Sequence, residues 1–283
     1  MMPGCVLKVR HWRSLLQGLC LALASLAAQV EVAARPAAVA EIRPGFLAGY
    51  VVPKALPSSR ALLPPPPAPD TAAATRDEEI SRSALALRDT PRWTLAAADN
   101  DLTFPRAAST FSCAVNATIS DEDTPHLYHL LRRSLADAGL STYAAKDGYR
   151  RTRPMVVNGA PACAPSAGVK RLKKDGSYPS GHSAIGWAWA LILAELAPGQ
   201  SDAILSRGLA YGQSRVVCNV HWQSDVDAGR LMGAATVARL HADAGFRADL
   251  EAAKNELAAV RAKGLRPQAD CQAEAAALAN QAR

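Results

Sequence analysis

The chain has 283 residues, of which 49% are hydrophobic and only 5% aromatic, and its formal net charge is +7. This length suits one sizeable domain or two small ones. An alanine-rich composition with few aromatic residues favours closely packed helices over a β-sandwich, because strands draw on β-branched and aromatic side chains. The modest positive balance suits small anionic substrates and gives no argument for a nucleic-acid partner.

The N-terminus has the pattern of a secretory signal, with three cations within residues 8–13 followed by an apolar run over residues 15–30. That run is too short and too rich in alanine for a membrane span. We predict a signal peptide over residues 1–28, with cleavage as late as residue 40. The mature protein is then expected to be periplasmic or secreted, without stable membrane anchoring. Loss of the three cations would bring the net charge to about +4.

Four cysteines remain after such a cleavage, an even number in an oxidising compartment, and this predicts two disulfides. Three connectivities are possible, and spacing does not choose among them. The chain has no C-x-x-C motif, which argues against a zinc site built from these residues. The four cysteines are Cys113, Cys163, Cys218 and Cys271.

The segment over residues 29–70 is rich in proline and alanine and contains four consecutive prolines at 64–67. Proline removes a backbone donor and fixes its own φ, so we predict an arm that runs extended over the surface. Residues 71–283 are predicted to form the helical domain. No β-branched run of strand length is evident.

The spacing of apolar residues beyond the arm predicts seven helices, and a polar loop is expected over residues 158–177. Ser120 and Asp121 are candidate caps for the third helix. The fourth helix is apolar almost all round, which predicts that it is buried. The expected fold class is therefore all-α: a single-domain compact helical bundle around a buried central helix. The predicted helices cover residues 71–87, 91–99, 121–145, 182–196, 202–215, 225–243 and 246–263.

Three fixed cations occur in two short motifs, Lys146-x6-Arg153-Pro154 and Ser214-Arg215. A phosphoryl group in transfer spreads negative charge over its oxygens, so catalysis depends mainly on positioning and electrostatic stabilisation. Arginine adds forked donors that match phosphate oxygens. Each cation alone is more often a solvated surface charge, and only its spacing from the other motifs indicates a phosphate site.

A Pro-Ser-Gly-His motif at residues 179–182 stands where the polar loop meets the central helix. Ser180 is a candidate N-cap, and Gly181 leaves backbone N–H groups open to an anion. His182 would lie in the first turn, where it can donate a proton to a leaving oxygen. The alternative is a capping turn with an incidental histidine.

His221 and Asp225 are four residues apart, so the carboxylate can hold one imidazole nitrogen and leave the other free to attack. A zinc pair or a structural hydrogen bond is the alternative, and Arg215 six residues upstream favours the anion site. We expect neither a metal nor another cofactor. One protonated and one neutral histidine predict a bell-shaped pH profile.

Taken in order, the three motifs resemble the signature of the bacterial class A non-specific acid phosphatases. That family belongs to the superfamily of type 2 phosphatidic acid phosphatases and vanadium haloperoxidases. The stretches GSYPSGHSAIGWAWALILAELAP and YGQSRVVCNVHWQSDVDAGR are similar to the family throughout, as is LLPPPPA at residues 62–68. The resemblance thus extends from about residue 45 to the C-terminus.

The resemblance implies an exported, metal-independent, all-α enzyme that forms homo-oligomers. Its expected substrates are small phosphomonoesters, hydrolysed at acidic pH, with transfer of phosphate to alcohols in some members. The implied roles are general acid for His182, phosphohistidine-forming nucleophile for His221, orientation of His221 for Asp225, and phosphate binding for Lys146, Arg153, Ser180, Gly181 and Arg215.

Three alternatives remain open at this point. A vanadate-dependent haloperoxidase would hold vanadate, a phosphate analogue, with the same cations and histidine. A lipid phosphate phosphatase is disfavoured by the lack of predicted transmembrane helices. In a phosphate-binding protein without turnover, His182, His221 and Asp225 would be superfluous. The physiological substrate is not predicted.

Overall fold

The computed structural model describes residue 1 and residues 35–279, so all but the first residue of the predicted signal peptide lies outside the described residues. Helices dominate the described part, which confirms the all-α prediction. The α-helices found there are α1 Ser59–Leu62, α2 Ala72–Ala84, α3 Pro91–Ala98, α4 Ser112–Val115, α5 Pro125–Leu140, α6 Tyr143–Tyr149, α7 Pro154–Val157, α8 Ser166–Leu172, α9 Gly181–Leu196, α10 Ser201–Val217, α11 Gln223–Leu240, α12 Ala244–Ala262 and α13 Cys271–Ala279.

The central helix α9 packs against α10, α11 and α5, as its apolar sequence predicts. Trp189 on α9 is 1% exposed and donates its indole N–H to the Leu131 carbonyl, 3.0 Å away. Gly229 on α11 lies so close to α9 that an added Cβ would overlap the Ser180 carbonyl. This close approach brings the start of α11 to the N-terminus of α9. Within residues 35–279, no helix combines the length and apolar character that a bilayer crossing requires.

The arm is more structured than predicted. It contains an antiparallel hairpin of β1 Glu41–Arg43 and β2 Phe46–Leu47, which the sequence analysis missed because the strands are only two and three residues long. The turn between them uses Gly45, whose φ is +82°. The carboxylate of Asp137 on α5 anchors the following residues, accepting hydrogen bonds from the backbone N–H groups of Tyr50 (2.8 Å) and Val51 (3.1 Å). The predicted domain boundaries at 28 and 70 stay predictions.

The predicted helix over residues 121–145 was wrong at both ends. The chain forms α5 from Pro125 and then breaks before starting α6. The predicted caps do not cap α5. Instead the carboxylate of Glu256, on the distant α12, accepts the N–H groups of His126 and Leu127 at 3.0 Å each. The expected polar loop over residues 158–177 also contains α8, and α8 matters for the site.

The four cysteines form two pairs, as predicted. Cys113 is bonded to Cys271, with their Cα atoms 5.4 Å apart, and Cys163 is bonded to Cys218, with Cα atoms 4.8 Å apart. The second pair joins the loop before α8 to the end of α10. It therefore ties the loop before α8 to the helix end that carries Arg215.

Candidate active site

The three predicted motifs meet at one end of a cavity of about 340 Å³. The cations come from α6, from the residue before α7 and from the last turn of α10. The histidines come from the first turn of α9 and from the loop before α11. Ser180 and Asp225 are fully buried directly behind this wall. Six predicted site residues line the cavity itself: Lys146, Arg153, Gly181, His182, Arg215 and His221.

Lys146 is a buried cation held by backbone carbonyls. Its Nζ donates to the carbonyl of Gly176 at 2.9 Å and to that of Pro179 at 3.0 Å, and the Oδ2 atom of Asp175 lies 4.0 Å away. Burial lowers the pKa of Lys146 to about 8, and the neighbouring Arg153 acts in the same direction. The ammonium group therefore remains charged at acidic pH and is fixed in position.

Arg153 is equally fixed. Its Nη1 donates to the Val220 carbonyl at 2.9 Å, and its Nη2 donates to Asp175 Oδ2 at 3.2 Å. The same Nη1 lies 3.0 Å from Nε2 of His221. A guanidinium can only donate, so Nε2 must present its lone pair at this contact. That assigns the proton of the neutral His221 ring to Nδ1.

His221 is thereby oriented from both sides. Its Nδ1 lies 3.2 Å from Oδ2 of Asp225, and the same oxygen accepts the backbone N–H of Trp222 at 2.9 Å. Burial, together with the cations Arg153 and Lys146, holds the pKa of His221 well below its ordinary value. The ring therefore stays neutral at acidic pH, with its Nε2 lone pair directed at the cation cluster.

The Arg215 guanidinium uses only one of its three nitrogens in a hydrogen bond among the described residues. Its Nη2 donates to Oδ1 of Asn100 at 3.0 Å, whereas Nε and Nη1 are buried without a hydrogen-bond partner in the described part of the chain. Burial lowers the pKa of Arg215 to about 10, so the group is still charged. Buried donors are normally satisfied, and an unsatisfied guanidinium lining a cavity suits an anionic ligand.

The N-terminus of α9 completes the cation end. Ser180 is the N-cap: its Oγ accepts the N–H of Ser183 at 3.3 Å, and its own N–H donates to the Asp225 carbonyl at 2.9 Å. Ser180 thus acts on the cavity through the helix start, while Gly181 faces the cavity. The 16-residue helix directs its positive end toward a bound anion.

His182 lies beside this helix start, with its Nε2 3.1 Å from the Asn100 carbonyl. A carbonyl only accepts, so Nε2 carries the proton of the neutral ring, and Nδ1 would take up the second proton. Burial, followed by the charge of Arg215, holds the pKa of His182 well below its ordinary value. An anion bound among these cations would offset the charge of Arg215 and so favour the protonated ring.

Sequence reasoning missed Arg151, which supports Asp225. Its Nη1 lies 2.7 Å from Oδ1 of Asp225, and its Nη2 lies 2.8 Å from Oδ2 of the buried Asp77 on α2. Burial raises the pKa of Asp225, and Arg151 is the largest influence opposing that rise. Asn100, which contacts both Arg215 and His182, was missed as well. Neither residue has a sequence signal, because the contacts join segments far apart in the chain.

The opposite end of the cavity is apolar. The arm contributes Ile42 and Phe46, α5 contributes Leu135 and Leu140, and α9 contributes Ile185. The guanidinium of Arg43 stacks over the Phe46 ring, 3.8 Å from its centroid, at this end. The cavity therefore offers cations and N–H groups to a tetrahedral anion at one end and an apolar surface to an attached organic group at the other.

Comparison with known proteins identifies the family. Residues 129–248 match the model of the PAP2 superfamily, which defines the class of protein. A non-specific acid phosphatase from Providencia stuartii is 44% identical over 204 residues, 72% of this chain and 82% of that protein. One from Salmonella typhimurium is 42% identical over 201 residues, 71% of this chain and 80% of that protein. The chain therefore belongs to the non-specific acid phosphatases of the PAP2 superfamily.

Among solved structures, a transmembrane PAP2 type phosphatidylglycerolphosphate phosphatase from Bacillus subtilis aligns with a TM-score of 0.42 at 20% identity. The alignment covers 61% of this chain and 87% of that one.

Proposed function

We propose that the protein is an exported, metal-independent acid phosphatase that hydrolyses small phosphate monoesters through a phosphohistidine at His221. The observation that carries this proposal is the contact between Arg153 Nη1 and His221 Nε2 at 3.0 Å. It directs the lone pair of a neutral imidazole at the place where buried cations would hold a phosphate. The Nδ1 atom on the other side of the ring faces Asp225.

In the first half-reaction, the cations and the N-terminus of α9 bind the phosphate group of the substrate. Nε2 of His221 forms a bond to phosphorus, and the bond from phosphorus to the leaving oxygen breaks. His182, protonated on both ring nitrogens, gives one proton to that oxygen. Asp225 stabilises the positive charge that develops on the His221 ring.

In the second half-reaction, the neutral His182 takes a proton from a water molecule as that water attacks phosphorus. The bond between phosphorus and Nε2 then breaks, which releases inorganic phosphate and restores both histidines. An alcohol in the place of the water would receive the phosphate instead. Phosphotransferase activity is therefore part of the same proposal.

The directions of the two histidine pKa shifts account for an acidic optimum. His182 must be protonated to act as an acid, and its depressed pKa confines that form to low pH in the free enzyme. His221 must be neutral, and its depressed pKa keeps it neutral at low pH. Both limbs of the profile of kcat/KM against pH are thus displaced to the acid side of the ordinary histidine pKa of about 6.5.

Export to the periplasm or the medium is proposed from the N-terminal sequence and is supported by the two cysteine pairs, which suit an oxidising compartment. Assembly into a homo-oligomer stays a prediction from the family resemblance. Fractionation of cells that produce the full chain, with activity assayed in periplasm and cytoplasm, tests the export proposal. Activity confined to the cytoplasm would contradict it.

The experiment that tests the function is hydrolysis of p-nitrophenyl phosphate at mildly acidic pH with excess EDTA, beside the folded His221→Ala variant. We expect wild-type turnover to survive EDTA and the variant to lose essentially all of it. Loss of wild-type activity in EDTA would contradict the metal-independent mechanism. Absence of phosphatase activity, together with bromide oxidation by peroxide after addition of vanadate, would favour the haloperoxidase alternative.

A further inference from the structure

A second cavity, of about 210 Å³, lies on the outer side of the Arg153 segment. It is formed where residues 150–153 run beside the end of α8 and the loop that follows it. Arg153, Leu172 and Asp175 line both this cavity and the catalytic one, so the two cavities are adjacent. We call this second space the basic cavity because of the charges around it.

Five cationic side chains line the basic cavity, against one carboxylate. Two of them are already paired, Arg151 with Asp77 and Asp225 and Arg153 with Asp175. The other three have no carboxylate within 4.0 Å among residues 35–279. These uncompensated cations, all three of them exposed to solvent, are Arg150, Lys173 and Lys174.

The two basic segments are held together by their backbones. The N–H of Ser177 donates to the Arg151 carbonyl at 2.8 Å, and a Cβ added to Gly176 would lie 3.1 Å from the Cα of Arg150. Arg150 itself ends α6 with φ +47°, a conformation that glycine or asparagine adopts at lower cost. The cations are thus brought together by fixed backbone rather than by freely moving loops.

Like charges in one cavity repel one another, and a bound anion offsets this unfavourable electrostatic energy. The position of Lys173 and Lys174 at the C-terminal end of α8 has a structural benefit of its own, because cations favour that end of the helix dipole. That benefit does not explain Arg150, which comes from another element and lines the same cavity. A phosphate anion suits three cations in a cavity of this size.

We propose that the basic cavity is a second phosphate-binding site, which takes either the second phosphate group of a doubly phosphorylated substrate or free inorganic phosphate. The proposal rests on the phosphatase function proposed above. It extends that function by assigning a preferred substrate class or a product-binding site. The chemistry is the same for both sources, so the experiment has one arm for each.

The test uses the mature wild-type protein, the double variant Lys173→Gln/Lys174→Gln and a matched control, Lys254→Gln/Lys263→Gln. The control removes the same charge from exposed positions at α12. The kinetic arm compares KM for fructose 1,6-bisphosphate with KM for fructose 6-phosphate. The binding arm titrates inorganic phosphate at acidic pH by calorimetry and counts the sites per chain.

If the second site serves the substrate, the wild type and the control have a KM for the bisphosphate about tenfold below that for the monophosphate, and the Lys173/Lys174 variant loses this difference. If it serves free phosphate, the wild type and the control bind two phosphates per chain and the variant binds one, without a difference in KM. Both results together mean that both sources use the site.

One phosphate per wild-type chain with equal KM values for the two sugars overturns the proposal. Equal effects of both double variants also overturn it, because they would reflect only the overall surface charge. Hydrolysis of p-nitrophenyl phosphate by the wild type, measured in parallel, reports on the catalytic cavity alone. A failure of the basic cavity is therefore distinguishable from a failure of the proposed function.

Discussion

The two ends of the catalytic cavity are built in opposite ways. The cation end uses residues from three motifs within residues 146–225, and hydrogen bonds to backbone carbonyls or to a buried carboxylate fix Lys146, Arg153 and His221. The apolar end combines an arm hairpin with side chains from α5 and α9, and most of the side chains it offers to a ligand are apolar. The groups proposed to react are therefore fixed in position and come from nearby motifs of the sequence. The surface that would select substrates is assembled from distant segments.

This difference predicts that substitutions at the two ends affect different kinetic constants. Changes at the cation end should lower the rate of the chemical steps, because they disturb charges fixed around the reacting atoms. Changes at the apolar end should raise KM for substrates with apolar groups and leave kcat nearly unchanged, because they remove uniform binding. Four substitutions, from the largest expected effect to the smallest, test this division.

His182→Ala should have the largest effect, and that effect should depend on the leaving group. We expect kcat/KM to fall about 10³-fold for glycerol 3-phosphate, whose alkoxide needs a proton, and about tenfold for p-nitrophenyl phosphate, whose phenolate leaves readily. His241→Ala, at a partly exposed histidine after α11, is the control. Equal losses on the two substrates would contradict the general-acid role.

Arg151→Lys tests whether Arg151 supports His221, the proposed nucleophile, through Asp225. We expect kcat to fall about 10- to 100-fold, since lysine cannot hold both Asp225 and Asp77 in the fork geometry. The pKa of Asp225 should rise further, because Arg151 is the largest influence that opposes the effect of burial. Protonated Asp225 no longer accepts from His221, so the acid limb of the pH profile should move to higher pH.

Arg82→Lys, at an exposed position on α2, should leave both kcat and the acid limb of the pH profile unchanged with p-nitrophenyl phosphate. An Arg151→Lys enzyme with reduced kcat and an unshifted acid limb would mean that Arg151 has only a structural role. Arg151→Met is the poorer test, because it leaves two buried carboxylates unpaired at a cost of about 3–5 kcal/mol in stability.

Phe46→Ala tests the apolar end. Removal of the ring should raise KM for p-nitrophenyl phosphate about tenfold, which corresponds to the loss of roughly 1.4 kcal/mol of apolar contact. Glycerol 3-phosphate has no apolar group to bind there, so its KM should stay within a factor of two. The measurement is steady-state kinetics on both substrates. A parallel rise in both KM values would place Phe46 outside the specificity surface.

Asp137→Asn tests how the arm is held. Burial raises the pKa of Asp137 to about 6, above the ordinary aspartate value, and the N–H groups of Tyr50 and Val51 oppose that rise. The folded state therefore binds the proton more tightly than the unfolded state, and this carboxyl lowers stability as pH rises from about 4 to about 6.

The variant lacks that titration. Its free energy of unfolding relative to the wild type should increase across this pH window, by at most about 3 kcal/mol for a shift of about two pKa units. Chemical denaturation at several pH values measures it. Because asparagine leaves one arm N–H without a charged acceptor, KM for p-nitrophenyl phosphate should also rise two- to threefold. A constant difference in stability between pH 4 and 6 would contradict the raised pKa.

How much of the structure could be predicted from the sequence also depends on whether a feature is local or is set by a distant segment. The buried central helix, its Ser180 cap and the convergence of the cations and histidines all follow from local patterns. The start of α5 at Pro125 could not be predicted, because its capping carboxylate comes from Glu256 on α12. Arg151 was indistinguishable from a solvated arginine until its partner Asp77 was located 74 residues away. Both misses have one cause, which is that the deciding partner is a single side chain on a distant segment with no motif of its own.

Alkaline quenching of the His182→Ala variant during reaction with p-nitrophenyl phosphate tests the central claim most directly. This variant lacks the base that activates water, whereas its phenolate leaving group still departs, so the covalent intermediate should accumulate. We expect a burst of p-nitrophenol and, by peptide mass spectrometry, phosphate attached to His221. A burst with phosphate on another residue, or with no phosphate on the protein, would contradict the phosphohistidine mechanism.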